Sequence, residues 1–130
     1  MYNDKIVDMI VRQHNVQNIT TKRLKIHSIH KDIIRLKQEN RNIGDKVRSF
    51  EKHIDTNTNK MYRVQGHAYV DWYKTYEDRI IRDLTTIEYL QKLQEYNSKL
   101  INKHRSKVKS LRSELQELKK ELNDTKGEIK

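Results

Sequence analysis

Six histidines are the side chains best suited to hold a metal ion, but only His27 and His30 lie close together in the sequence. Three residues apart on a helix, they share a face and supply two of the ligands that a metal site needs. No carboxylate or third ligand follows at a recognisable spacing, and both histidines border the apolar residues Ile26 and Ile29. We therefore expect the pair to flank a packed strip of helix, with no metal and no other cofactor.

Catalytic motifs are missing from the sequence. The chain has no cysteine, which excludes a thiolate nucleophile, a disulfide framework and Cys-based metal sites. Neither a Gly-rich phosphate loop nor a nucleophile elbow is present. Carboxylates are interleaved with Lys and Arg, as on solvated helix faces. We predict that the protein is not an enzyme.

Basic side chains are more informative, since the formal net charge is +10. Residues 22–37 hold six Lys or Arg against one acid, Asp32, and residues 99–112 hold six against none. Such clusters attract polyanions and neutralise phosphates without reading a base sequence. An acidic protein partner would find the same surface attractive, so charge alone leaves both partners open.

An aromatic stretch, "NKMYRVQGHAYVDWYKTYEDR", occupies residues 59–79. It holds five of the nine aromatic residues: Tyr62, Tyr69, Trp72, Tyr73 and Tyr76. The helical spacing of the last four favours packing at the base of a helical hairpin. The alternative is a platform on which unpaired bases stack, and Tyr62, beside a polar segment, is its best candidate.

The elements that position these residues are helices, as three glycines and no proline indicate. Residues at alternating steps of three and four form a heptad seam: Ile26, Ile29, Ile33, Leu36, Asn40, Ile43, Val47, Phe50 and Ile54. The asparagine occupies an a position of the heptad. A buried asparagine there commonly fixes the register, and a tolerated polar residue at a loosely packed point is the equal alternative.

The pattern predicts an all-α fold: a long helical hairpin with coiled-coil-like seams, in a single domain over residues 1–130. The expected elements are a short N-terminal helix at 1–18, a long helix at 20–55, a loop or hairpin at 56–70 and a second long helix at 71–123. Thr20 or Thr21 would cap the first long helix, and the polar "DTNTNK" would begin the loop. A short strand within residues 61–70 is an alternative to the turn.

The second helix has three apolar sets with a phase slip between them, so its apolar face is predicted to turn along the helix. The sets are Ile80, Leu84 and Ile87; Leu90, Leu93, Asn97, Leu100 and His104; and Val108, Leu111, Leu115, Leu118, Leu122 and Ile129. The last set is coiled-coil-like. We expect it to pair with a helix of another subunit.

Self-association also follows from composition, because a chain that is only 34% hydrophobic buries a small core on its own. The residues predicted to form the homo-oligomer are Ile26, Ile29, Ile33, Leu36, Asn40, Ile43, Leu111, Leu115 and Leu118. No apolar run approaches the roughly 20 residues of a membrane helix. We expect no membrane contact and a cytoplasmic location.

Three parts of the chain carry a family resemblance: residues 28–36, Lys46 with Arg48, and residues 80–106. They resemble the UvsY-type recombination mediators of tailed phages. "SIHKDIIRL", residues 28–36, is similar to a family helix with the pattern Ser, Ile, any residue, Lys, acid, two apolar, Arg, apolar. Lys46 and Arg48 resemble a Lys-x-Arg pair of that family. "IIRDLTTIEYLQKLQEYNSKLINKHRS", residues 80–106, resembles its second long helix.

The resemblance implies a helical homo-oligomer, arranged as a ring, that binds single-stranded DNA with little sequence preference. It would help a RecA-like recombinase displace the single-strand-binding protein, in the host cytoplasm if phage-encoded. The resemblance carries Lys46 and Arg48 over as DNA contacts. From charge and aromatic character we add the following contacts: Lys22, Arg23, Lys25, Lys31, Arg35, Tyr62, Arg63, Lys103, Arg105, Lys107 and Lys109.

Two other functions remain open. The first is a structural or scaffolding coiled-coil phage protein without nucleic-acid binding, and the second is a small inhibitor of a host protein. The acid-free stretch 99–112 discriminates against the scaffold, because a scaffold helix more often alternates its charges along the exposed face.

Overall fold

In the computed structural model, residues 2–64 and 70–128 are described, and all of them are helical. Helix α1 spans Tyr2–Val64 and helix α2 spans Val70–Glu128. The two helices pack against each other as a hairpin, and the described residues contain no strand, which confirms the all-α prediction. None of the described helical segments is apolar enough over a sufficient length to cross a membrane.

The hairpin divides into two compact units, and both helices contribute to each. The terminal unit comprises Met1–Ile34 and Ile101–Lys130. The central unit comprises Arg35–Leu100.

The seam predicted for α1 coincides with a strip of buried and half-buried residues. Ile29, Ile33, Leu36, Ile43 and Val47 are buried, and the other predicted members are half-buried. In the central unit, three buried residues form an apolar cluster with four half-buried ones: Ile43, Val47 and Ile87 with Phe50, Ile54, Leu90 and Leu93. Burial of this apolar area against α2 holds the hairpin together, and coiled-coil supercoiling stays a prediction.

The break predicted before residue 20 is wrong, because α1 is continuous from Tyr2. Instead of capping a helix, Thr20 Oγ1 donates a hydrogen bond to the Val16 carbonyl oxygen at 3.0 Å, within the helix. The strip that faces α2 continues through this segment, with Ile19 buried and Asn15 half-buried. Tertiary packing therefore outweighs the weak helix propensity of Thr and Asn, which costs only about 0.5 kcal/mol per residue.

The loop predicted at 56–70 is also wrong for most of its length, because α1 continues to Val64. "DTNTNK" is helical, and Asn57 and Met61 extend the half-buried strip at its regular spacing. The second long helix begins one residue earlier than predicted, at Val70, and ends later, at Glu128. Residues 65–69, which include part of the segment that could have formed a strand, lie outside the described residues.

The phase slip predicted in α2 is not observed. Burial recurs at alternating steps of three and four from Tyr73 to Leu122. Polar residues occupy some of these positions, among them Asp83, Gln94 and His104, whereas Leu84 is exposed. The predicted seam included His104 but passed over Asp83 and Gln94, and taking the neighbouring Leu84 and Leu93 in their place shifted its phase. Ile129, the last predicted member, lies outside the described residues.

Asn40 joins α1 to α2 through a network of amides in the central unit. Its Nδ2 donates to the Gln94 carbonyl oxygen at 3.3 Å and to Ser98 Oγ at 3.4 Å. Its Oδ1 accepts from Asn97 Nδ2 at 3.0 Å, and its carbonyl oxygen accepts from Gln94 Nε2 at 3.0 Å. Asn97 is 3% exposed, so unmade bonds there would leave buried polar groups unsatisfied. The contacts place Asn40 in an intramolecular seam and favour a role in register.

Candidate nucleic-acid interface

Charge divides unequally between the two units. The terminal unit has 15 Lys and Arg against 8 Asp and Glu, a net charge of +7. The central unit has 13 against 10, a net charge of +3. Most of the excess positive charge therefore belongs to the terminal unit, where parts of the two predicted basic clusters meet.

On one border of the buried strip in the terminal unit, basic side chains are accompanied by an acid. Lys22 Nζ donates a hydrogen bond to Glu114 Oε2 at 2.5 Å, which joins α1 to α2. This hydrogen bond and the charge of Lys22 lower the pKa of Glu114, and the charges of Lys107 and Lys25 lower it further. We call these four residues the paired border. A single carboxylate there offsets part of the charge of three cations.

The opposite border of the strip carries cations from both helices. Lys107 and Glu114 directly precede the buried Val108 and the half-buried Leu115, whereas Arg105 and Arg112 directly follow His104 and Leu111. Residues before and after a seam position lie on its two sides in a helix. The cations at 105 and 112 are therefore separated from Glu114 by the packed strip.

A groove opens along this second border. Arg112 Nη2 lies 3.3 Å from His30 Nε2, so the two helices meet there. The groove is lined by four basic or titratable residues, two polar residues and two apolar ones: His30, Arg105, Lys109 and Arg112, Ser113 and Gln116, and Ile33 and Val108. None of these lining residues is acidic. We call His30, Arg105, Lys109 and Arg112 the cationic groove.

Basic residues continue both sides of the groove. Arg23 precedes His30 by seven residues, and Lys119 follows Arg112 by seven, so each lies in the same row of its helix. Both are exposed. An extended polyanion lying along this border would meet Arg23 and His30 of α1 and the cations Arg105, Arg112 and Lys119 of α2.

The predicted contacts are distributed over several surfaces. Arg105 and Lys109 line the cationic groove and Arg23 extends it, whereas Lys22, Lys25 and Lys107 belong to the paired border. Lys31 and Lys103 are exposed outside the groove lining, and Arg35, Lys46, Arg48, Tyr62 and Arg63 are exposed in the central unit. Sequence reasoning did not select His30 or Arg112 as contacts. Their spacing of seven from Arg23 and Arg105 was the available signal.

The Lys-x-Arg pair of the central unit differs from the groove because an acid accompanies it. Arg48 Nη2 donates to Asp45 Oδ1 one helical turn away, and both side chains are exposed. An exposed ion pair of this kind contributes little to stability. It nevertheless offsets part of the charge that Arg48 would present to a phosphate.

The aromatic stretch is split between packing and exposure. Tyr73 and Tyr76 are half-buried, and the Tyr76 ring has Lys60 Nζ 5.9 Å and Arg79 Cζ 5.8 Å from its centroid. Tyr62 and Trp72 are 64% and 59% exposed. Half-burial thus fits packing for Tyr73 and Tyr76, and stacking stays a prediction for the exposed members. Tyr69 lies outside the described residues.

The residues predicted for subunit contacts are largely used inside the chain. Ile29, Ile33, Leu36, Ile43 and Leu111 are buried against the hairpin's own helices. Ile26, Asn40, Leu115 and Leu118 are half-buried in the same strip. A subunit interface would therefore need other residues while the hairpin is closed.

Within the described ranges, no three His, Asp or Glu side chains come together as a metal site would require. His27 is exposed, and His30 is half-buried beside Arg112, as expected for residues that flank the packed strip.

Comparison with protein-family models, curated proteins and solved structures finds no match to this chain. The resemblance to the UvsY-type mediators therefore rests on the quoted segments alone.

Proposed function

We propose that the protein binds single-stranded DNA without catalysing a reaction, and that the cationic groove of the terminal unit contacts its phosphates. The observation that carries this proposal is the lining of the groove. Arg105, Lys109 and Arg112 stand together with His30, and none of the lining residues is acidic. Guanidinium groups bind phosphate oxygens through paired donors, and such contacts are independent of base sequence.

The contrast between the two borders supports a polyanion as the partner. Like charges placed side by side destabilise a helical fold, and a carboxylate at one of these positions would remove that cost. The paired border has such a carboxylate, Glu114, whereas the groove lining has none. A phosphate chain would supply the missing negative charge.

Exposed aromatic residues favour single strands over duplex. Stacking of an unpaired base on an aromatic side chain contributes about 1–3 kcal/mol, and a duplex keeps its bases stacked inside. Tyr62 and Trp72 are the exposed members of the aromatic stretch, with Lys60 and Arg79 beside the Tyr76 ring. We propose that Tyr62 and Trp72 contact unpaired bases.

The resemblance supplies the biological role in this proposal. The strand-bound protein would help a RecA-like recombinase replace the single-strand-binding protein in the host cytoplasm, with Lys46 and Arg48 as additional contacts. Self-association belongs to the same proposal. Because the seam is covered, the exposed apolar residues of the first turns of α1 are the best-supported surface for it: Ile6, Val7, Met9 and Ile10.

Strand binding is tested by titrating the protein with a poly-dT oligomer at several salt concentrations and following fluorescence anisotropy. The variant Arg105→Ala/Arg112→Ala removes two phosphate contacts, so the slope of log K against log salt should fall by about 1.4. The control is Lys92→Ala/Lys99→Ala, which removes two cations with the same spacing of seven from the same helix. Those lysines are exposed and are paired with Glu88 and Glu95.

Equal losses in the two variants would show that only total charge matters and would reject the groove. Circular dichroism of each variant shows whether the helices are retained. No co-sedimentation of wild-type protein with the strand at low salt would reject DNA binding altogether.

A structural coiled-coil protein is the second candidate function. The regular spacing of buried positions along each helix favours it, because such spacing is typical of coiled coils. This function requires no strand binding, so the same titration separates the two candidates.

A further inference from the structure

We propose that the cationic groove is a discrete site for one phosphate group, and that phosphate binds there together with a proton on His30. This inference rests on the proposed function and adds the ligand chemistry and the pH regulation of the same groove. It requires no covalent step, since the proton comes from solvent and returns to solvent when phosphate leaves.

The contact between Arg112 and His30 is a hydrogen bond only with the His30 tautomer that carries its proton on Nδ1. A guanidinium group only donates hydrogen bonds, so His30 Nε2, at 3.3 Å from Arg112 Nη2, accepts with its lone pair. An imidazole with one acceptor nitrogen carries its proton on Nδ1 and is neutral. In the ligand-free protein, His30 Nε2 thus accepts a hydrogen bond from one donor of Arg112.

Protonation of His30 changes the groove in two ways. Both ring nitrogens become donors, so the hydrogen bond from Arg112 is lost and its guanidinium becomes available. The imidazolium also adds a further positive charge to the three that Arg105, Lys109 and Arg112 contribute from α2. On α1 the neighbouring titratable groups are His27 and Lys31. The lining holds no acid, so an anion is the group that would offset this added charge.

A phosphate group would offset this added positive charge, because its oxygens accept hydrogen bonds from the imidazolium and the guanidinium together. Binding is therefore linked to proton uptake, and affinity should rise as the pH falls. For one linked proton, the increase is at most about tenfold per pH unit.

The test compares poly-dT binding at pH 6, 7 and 8, at constant ionic strength, for the wild-type protein, His30→Gln and His27→Gln. Glutamine at position 30 still accepts from Arg112 but does not titrate. His27 is an exposed histidine one turn away and outside the groove lining, so it is the matched control. We expect His27→Gln to retain the tightening at low pH and His30→Gln to lose most of it.

Retention of the full pH dependence by His30→Gln, with strand binding intact, would overturn this inference and leave the proposed function standing. An absence of strand binding in all three proteins would instead reject the proposed function. The two failures are therefore distinguishable.

A direct measurement follows the imidazole resonances by NMR, with His30 assigned from the His30→Gln spectrum. The His30 titration is recorded alone, with inorganic phosphate, and with a dT oligomer lacking a terminal phosphate. A rise in the His30 midpoint with both ligands indicates a general phosphate site, and a rise with the oligomer alone indicates a site for backbone phosphodiesters. An unchanged midpoint with both ligands would refute proton-linked binding.

Discussion

The central and terminal units join the same two helices by different means. In the central unit, Ile43, Val47 and Ile87 form an apolar cluster, and the amides around Asn40 satisfy one another across the helices. In the terminal unit, the cross-helix polar contacts include an ion pair, Lys22 with Glu114, and the contact of Arg112 with His30. The amides of the central unit satisfy one another. In the terminal unit, the cations of the groove have no acid in the groove lining.

This difference shows how one helical hairpin can separate stability from binding. Buried amides that satisfy each other specify one alignment of the helices and leave little capacity for a ligand. Exposed cations without acids contribute little to the fold and retain their capacity for a polyanion. Substitutions in the central unit should therefore change stability first, and substitutions in the groove should change binding first.

The largest expected effect on stability comes from the central apolar cluster. Ile43→Ala, at a side chain that is 4% exposed, should lower the free energy of unfolding by about 2–5 kcal/mol. The control Ile34→Ala, at a side chain that is 67% exposed, should change it by less than about 0.5 kcal/mol. Urea unfolding followed by circular dichroism measures both. Similar values for the two variants would contradict the observed burial.

The amide network should give the next largest effect. Asn97→Ala removes the donor to Asn40 Oδ1 from a buried position, which should cost about 1–3 kcal/mol of unfolding free energy. Ser98→Ala removes an exposed hydroxyl at 3.4 Å from Asn40 and should cost less than about 0.5 kcal/mol. The denaturant midpoints of the two variants measure these changes in unfolding free energy. A neutral Asn97→Ala would mean that the network does not hold the register.

The Lys-x-Arg pair tests whether the central unit also binds DNA. Lys46→Ala/Arg48→Ala should reduce the salt slope of poly-dT binding by less than the about 1.4 expected for two lost phosphate contacts, because Asp45 already offsets Arg48. The same titration of Arg105→Ala/Arg112→Ala provides the comparison. A larger loss from the central pair than from the groove pair would reverse our assignment of the main phosphate contacts and would favour the mediator resemblance.

The smallest expected effect is the acid sensitivity of the paired border. Because Lys22 lowers the pKa of Glu114 below its ordinary value of 4.5, the ion pair stabilises the folded state above that pH. Its contribution is lost as the pH falls through the lowered pKa. Glu114→Gln should therefore reduce Tm slightly at pH 7 and make no difference at strongly acid pH. Glu117→Gln, at an exposed residue of the same helix, is the control, and equal Tm changes in the two variants would contradict the pairing.

The α1 strip shows why part of the fold was predictable. Its apolar residues recur so regularly from Ile26 to Ile54 that a helix with one packed face is the simplest structure for them. The acid-free stretch 99–112 likewise indicates a basic surface from its residue types alone. Both features are local, since they depend only on residue type and spacing.

The boundaries of α1 were not predictable by the same reasoning. Thr20 and the "DTNTNK" segment favour a cap and a turn when judged by local propensity, yet both are helical. The strip positions in these segments, Ile19 beside Thr20 and Asn57 within the polar segment, are stabilised by α2, which lies far away in the sequence. The partners of Asn40 could not be predicted for the same reason, since Gln94 and Asn97 are more than fifty residues away in the sequence.

The sequence by itself determined that this protein is helical and strongly basic, because helix periodicity and net charge are properties of residue type and spacing. The tertiary structure decided which basic residues pair with an acid and which line a groove without one. Lys22 and Arg23 are neighbours in the chain, but one meets Glu114 and the other extends the cationic groove. Lys22 occupies a half-buried position of the strip and Arg23 the exposed position beside it, and only the alignment of α1 on α2 brings Glu114 to Lys22.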